Sequence, residues 1–407
     1  MKLFKFSVGA LMLASAAAAS ADVSCNKSYA FRADVNNTVG HTICDSSAET
    51  FLDTLSNFKA SNLNYTDISQ ATVAGRFSDV SLNLAYSANS TTLHYNFVEL
   101  GESGSFTGAT RKESEDQFED FIKKKGIIGR IMNYEAKHSP TSPITGAGGM
   151  IPMTIAADFG ASFNQSPTSG AGAAASGSAN NNLIGASINY GSYKVSGRGD
   201  DITTTSIPLS YTIRNGIDPR RQLNISVPIT LVQVGDAKTA HAGLGVSYRL
   251  PMSDQWTLTP GVRYSVVASA DRATVASVYS ASLASTYVIP LNSFDVTIGN
   301  MVGYYTTGKI SAGDYSFNPD IKNIAVRNGV MLSQPVNIGR KLTAEYSLID
   351  TRYLGSDKPF LDNYQEIGIT LGTNKSAMDA RSFVRGGLTF MQGPKTSGVT
   401  ANLGYWF

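Results

Sequence analysis

The chain closes on "SGVTANLGYWF" (Ser397–Phe407), in which Val399, Ala401, Leu403, Tyr405 and Phe407 fall on one face and Thr400, Asn402, Gly404 and Trp406 on the other. A period of two is the signature of a β-strand with one apolar side. The stripe ends on the aromatic residues Tyr405 and Phe407, an apolar face that the strand is expected to expose, so its surroundings are expected to be apolar. The rest of the chain says what they are.

Working back from the end, the same alternation fills 12 segments of about ten residues: "LIGASINYGSY", "TSIPLSYTIR", "RQLNISVPITLV", "HAGLGVSYRL", "QWTLTPGVRYSVV", "ASVYSASLASTYVI", "SFDVTIGNMVGYY", "NIAVRNGVMLS", "RKLTAEYSLID", "YQEIGITLG", "SFVRGGLTF" and "GVTANLGYWF". Strands of this length cross a bilayer when tilted. Short connections ("PMSD", "IPLNS", "SQPVNIG") alternate with long ones around Asp314 and Asp357, as in barrels with short periplasmic turns and longer outer loops. Composition agrees: only 16% of residues are charged, against about 25% in typical globular domains, yet the mean hydropathy is −0.08, because Ser, Thr, Asn and Gly stand where charges would. The expected fold is therefore mainly β: a 12-stranded antiparallel transmembrane β-barrel over residues 182–407, preceded by a small α+β periplasmic or plug domain.

On these residues the chain resembles bacterial (Gram-negative) outer-membrane β-barrel proteins, many of which close on an outward apolar stripe and a terminal Phe. The resemblance implies that Val399, Ala401, Leu403, Tyr405 and Phe407 form an insertion signal read by the barrel-insertion machinery, with outer-membrane lipid as the other partner. It covers the barrel and the leader and names no particular family.

The leader, residues 1–21, has Lys2 and Lys5, an apolar run from Val8 and an Ala19-Ser20-Ala21 cleavage pattern, the order of a secretory signal peptide. The run is too short for a membrane-spanning helix. Residues 22–140 read as a small α+β unit. They contain a helix from a Ser46/Glu49 capping box, a hairpin over "VSLNLAY" and "LHYNF", and a second helix in "SEDQFEDFIKKKG" with Ser114 and Gln117 as a weaker capping box and Gly126 as its stop. Cys25 and Cys44 are the only cysteines, and in an exported chain they predict one disulfide, two free thiols being the alternative. Residues 141–181 are rich in Gly, Ala, Ser and Pro and read as a flexible linker that could thread through another part of the fold, in which "MTIAADFGASF" alternates but is left out of the barrel.

With the apolar set turned to lipid, Arg214, Arg249, Arg263, Arg327, Lys341, Arg381 and Arg385 point into the lumen, against Asp295, Glu345 and Glu366. Residues 22–150 carry 11 Lys+Arg against 15 Asp+Glu (net −4) and residues 151–407 carry 20 against 16 (net +4). A basic lumen favours anions, and an acidic N-terminal unit suits it as a plug; pairing of these arginines with acids across strands is the structural alternative. Asn300 and Asn328 interrupt the lipid-facing stripe of neighbouring strands, where they could hydrogen-bond to each other as a paired polar spot of the kind that marks a subunit contact; a bulge that turns one of them inward is the alternative. His41, His94, His138 and His241 are scattered, no metal-ligand spacing or phosphate loop is present, and an exported chain is no nucleic-acid partner. No cofactor, metal or catalytic group is expected.

Three functions fit. The first is a porin-like channel for small polar or anionic solutes, plugged or gated by the N-terminal region. Here Arg214, Arg249, Arg263, Arg327, Lys341, Arg381, Arg385, Glu345 and Glu366 line the pore, and a homo-oligomer or a periplasmic partner is possible. The second is surface display or secretion as in autotransporters, against which stand a disulfide-closed loop that is hard to thread and the want of a pore-spanning helix before the first strand. The third is a structural or adhesive barrel with a filled lumen.

Overall fold

The structure is a computed structural model and describes residues 25, 27–46, 58–124, 126–164, 182–196, 201–218, 220–312, 315–338, 340–373 and 383–406. The helix expected after Ser46, residue Arg381 and the terminal Phe407 lie outside them.

The alternating segments close on themselves. Strands β7 (Leu183–Val195), β8 (Ile202–Arg214), β9 (Gln222–Val234), β10 (Ala237–Pro251), β11 (Trp256–Ser269), β12 (Thr274–Pro290), β13 (Asp295–Gly308), β16 (Lys322–Ile338), β17 (Arg340–Leu354), β18 (Asn363–Thr373), β19 (Phe383–Gly393) and β20 (Thr396–Trp406) pair antiparallel with their neighbours, and β20 pairs with β7. Closure leaves the wall without an open edge, so neighbouring strands meet one another's backbone polar groups along the ladders. A small hairpin, β14 (Ile310–Ala312) with β15 (Tyr315–Phe317), decorates the longest connection. The stretch "SQPVNIG" is mostly strand and not turn, since β16 runs to Ile338.

Outward faces carry Ile188, Leu244, Val262, Leu283, Leu348 and Leu403, all exposed, with a girdle of exposed aromatics that includes Tyr211, Trp256, Tyr287, Tyr264, Tyr279 and Tyr304. Leaving so much apolar surface in water would be ruinous, and lipid is the medium that accepts it. Val399, Ala401, Leu403 and Tyr405 lie on this face, while Thr257, Thr259, Arg263 and Ser265 point inward as the alternation requires.

The N-terminal unit is a six-stranded antiparallel sheet, β2 (Ile43–Asp45), β1 (Tyr29–Val35), β3 (Ala71–Phe77), β4 (Val80–Tyr86), β5 (Thr92–Phe97) and β6 (Glu102–Thr107) in spatial order, with Cys25 and Cys44 disulfide-bonded. Its buried face (Val73, Leu82, Leu84, Tyr95 and Phe97) packs on Phe118 of α1 (Arg111–Lys124) and on Ile127 and Ile131 of α2 (Ile127–His138). Helix α1 begins three residues earlier than expected: Thr110 Oγ1 accepts the amide of Glu113, and the Glu113 carboxylate accepts the amide of Ala109. Ser114 is inside the helix, where its hydroxyl donates to the Thr91 carbonyl. Gly126 adopts a left-handed conformation between the two helices.

The expected linker is where the structure departs most from the sequence reading. Residues 139–149 form a buried turn, and "MTIAADFGASF" belongs to a 14-residue helix, α3 (Met150–Phe163), at about 1.5 Å per residue some 21 Å long. It lies inside the barrel. Gly148, at φ 72°, turns the chain into the lumen at a point where a Cβ would meet Thr204 Cγ2 at 2.6 Å. The N-terminal unit therefore sits at the barrel, as expected, but at the end away from the last residues of β20. Asn133 Nδ2 donates to the Pro319 carbonyl, Lys137 pairs with Asp357, and Arg272 Nη2 reaches the Thr141 carbonyl, all on connections of that end.

Candidate functional site: the occupied lumen

Helix α3 is apolar on nearly all sides, with Ile151, Ile155, Phe159 and Phe163 at a spacing of four. It needs an apolar wall, and the barrel supplies one. Ala276, Val278, Ala284, Met301, Met331 and Tyr353 point inward and join it in one core. Phe159 and Phe163 stack with centroids 4.7 Å apart over Gly299 and Gly329, a register pair on β13 and β16. A Cβ on Gly299 would come within 2.4 Å of the Phe163 ring, and one on Gly329 within 3.0 Å of Phe159. The two glycines form the seat for the rings.

Polar contacts fix the rotation and depth of the helix. Asp158, its one charge, accepts from Arg263 Nε at 2.8 Å and from Ser280 Oγ at 3.2 Å, and the side chains of this ion pair are only 8% and 4% exposed. The guanidinium of Arg263 lies over Gly245, where a Cβ would stand 2.6 Å from Cζ. Ser162 Oγ hydrogen-bonds to Thr286 Oγ1 at 2.6 Å. At the helix C-terminus, where carbonyls lack intrahelical partners and the macrodipole is negative, Arg249 donates to the Ser162 carbonyl and Arg385 to the Asn164 carbonyl, each at 2.8 Å.

Of the charges expected in the lumen, Arg249, Arg263, Arg327, Arg385, Asp295 and Glu345 are buried inside, and Arg214 and Glu366 lie on the inward register. Lys341 belongs to β17, where it is the ladder partner of Asn337, while Arg381 is outside the described residues. Two pairs are internal to the wall. Arg327 Nη2 meets Glu366 Oε2 at 2.5 Å and its guanidinium lies over the Phe159 ring; Arg385 bonds to Glu345. Asn300 and Asn328 face outward, in direct register. Among the described residues no group of three or more His, Cys, Asp or Glu could hold a metal ion. His241 is buried in the wall, with neither ring nitrogen hydrogen-bonded. Sequence reasoning missed Asp158, Ser162, Gly299, Gly329, Phe159 and Phe163; the four-residue spacing from Ile151 to Phe163 was the available signal.

No family model matches the chain, and no curated protein is similar to it in sequence. Among solved structures it is similar to the β domain of the Bordetella autotransporter BrkA (13% identity, TM-score 0.42, 56% of this chain and 98% of that one). It is also similar to the NanC porin (12%, 0.37, 55% and 98%) and to an outer membrane channel from Pseudomonas putida F1 (13%, 0.37, 56% and 95%). Likenesses this remote do not distinguish a translocator from a channel. What the closed wall and its lipid-facing girdle establish is the class: the chain is a β-barrel protein of the outer-membrane type.

Proposed function

We propose that the protein is a display barrel, in which α3 runs through the pore and the α+β domain is held on the cell-exterior face. The observation that carries this reading is the path of the chain. The domain docks on the long-loop end, α3 descends the lumen, and β7 starts at the opposite end, beside the end of β20. With the C-terminal end in the periplasm, the usual orientation of such barrels, the domain is outside. Helix α3 also removes one objection raised from the sequence, the want of a pore-spanning helix. Protease treatment of intact cells tests it: residues 22–140 are cleaved without outer-membrane permeabilisation. Protection that is lost only on permeabilisation would refute it.

The second reading, a plugged channel for small polar or anionic solutes, is favoured by Arg263. Its carboxylate partner belongs to α3, so a lumen without the helix presents this charge to passing anions. Planar-bilayer recordings of the mature protein and of a version lacking residues 22–181 test it. Anion-selective conductance that rises on deletion supports the channel, and silence of both versions refutes it.

A further inference from the structure

We infer that the protein pairs with a second copy of itself through the lipid-facing polar row centred on Asn300 and Asn328. The outer face of β13 presents Ile298, Asn300, Val302 and Tyr304, and that of β16 presents Ile324, Val326, Asn328 and Val330. The two asparagines are direct ladder partners, both are exposed, and neither side chain forms a hydrogen bond among the described residues. They lie inside the apolar band. Tyr304 stands four residues further along β13 toward the long-loop end, and Tyr287 lies beyond Ser285, the β12 partner of Asn300, toward the other. Primary amides facing hydrocarbon without partners are unfavourable, and a membrane protein meets that demand within the chain or with a neighbour.

The row continues in register to Asp350, the partner of Asn328, and to Gln365, the partner of Asp350. These residues are satisfied locally: Gln365 Nε2 donates to Asp350 Oδ1 and Arg352 Nε to Asp350 Oδ2, each at 2.8 Å. The acid thus has a counter-charge in its own chain, and the unmet demand is confined to two neutral amides. That points to the second copy as the occupant. A carboxamide holds donor and acceptor in one plane and is complementary to itself, so a two-fold axis along the membrane normal sets Asn300 of each copy against Asn328 of the other. A convex barrel touches its neighbour over only a few strands, which is the width of this row. Amides act in the same way between transmembrane helices.

The inference rests on the barrel being embedded in lipid, and it holds whether the barrel displays a domain or conducts. Sedimentation equilibrium of the mature full chain in detergent micelles tests it, against the double variant Asn300→Leu/Asn328→Leu. The wild type is expected to be dimeric and the variant's dissociation constant to rise by about tenfold or more. Unheated gel mobility of both proteins separates a failed barrel from a failed contact. Independently, coexpressed Asn300→Cys and Asn328→Cys chains give a disulfide-linked dimer in oxidised membranes, whereas coexpressed Asn300→Cys and Leu244→Cys chains, Leu244 being exposed elsewhere on the wall, do not. A wild type that stays monomeric, or a dimer indifferent to the double variant, overturns the proposal.

Discussion

Replacing Asp158 with Ala strands the Arg263 guanidinium in the lumen wall. Both side chains of the pair are under a tenth exposed, and the contact is 2.8 Å. Removing one member of such a buried pair costs about 3–5 kcal/mol, because the remaining charge keeps its desolvation penalty without its partner. The loss falls on the docking of α3, since Arg263 is anchored in β11 and Asp158 in the helix. At ~1.4 kcal/mol per tenfold, the undocked population rises by roughly two to three and a half orders of magnitude. Ala161, on the lumen side of α3, provides the reporter when changed to Cys, because Cys25 and Cys44 are already bonded to each other. Labelling of Ala161→Cys by a small thiol reagent should accelerate about a hundredfold or more in the Asp158→Ala background. Adding Arg263→Met removes the stranded charge and should bring the rate back to within about tenfold of the starting protein. A labelling rate unmoved by Asp158→Ala, or a double variant as fast as the single one, would show that this pair does not hold the helix.

The aromatic seat makes a separate prediction. Gly299→Ala places a methyl 2.4 Å from the Phe163 ring and should loosen α3, read as faster Ala161→Cys labelling, and Phe163→Ala in the same chain should reverse it. In the N-terminal domain, the Glu115 pKa is raised, chiefly by burial and against the opposing pull of Lys112, while Tyr86 Oη donates to its carboxylate. A carboxyl whose folded pKa exceeds its unfolded one contributes stability at low pH and loses it as pH rises through the folded value. The Tm of the domain should therefore fall over that interval in the wild type and stay flatter in Glu115→Gln. Joint Cys25→Ser/Cys44→Ser replacement opens a loop with a sequence separation of 19 and should destabilise the domain by about 3 kcal/mol on the chain-entropy estimate. Protease accessibility on intact cells should persist if display tolerates the loop and rise if the loop hinders passage.

The barrel was legible because lipid outside and a filled lumen inside impose a period of two on every strand. The parity that sends Thr257, Thr259, Arg263 and Ser265 inward and Val262 and Tyr264 outward could be read directly from "QWTLTPGVRYSVV". The plug was not legible in the same way. A helix buried on all sides has no polar face, so Met153–Phe163 satisfies a period of two as well as the four-residue spacing of Ile155, Phe159 and Phe163. The lumen was expected to be polar throughout, yet Met301, Met331 and Tyr353 point inward because α3 is there to receive them. An inward Met between outward Asn300 and Val302 looks like noise until its partner is known. The docking end of the N-terminal unit follows from the chain's passage through the pore, a tertiary event that no local pattern records. Thr110 and Glu113 show a smaller version of the same limit: the capping pattern lay one turn before the one chosen, and both spellings are plausible in isolation.

The most direct test of an occupied lumen is a covalent one. Ser162 on α3 and Thr286 on β12 bring their hydroxyls to 2.6 Å, so Ser162→Cys with Thr286→Cys should form a disulfide in native membranes without strong oxidant. With a protease site inserted between residues 165 and 181 and cleaved, the N-terminal fragment should stay with the barrel on a non-reducing gel and leave it on reduction. If the fragment separates under both conditions while each single cysteine remains free, α3 is not in the barrel, and both the display reading and the plugged-channel reading lose their basis.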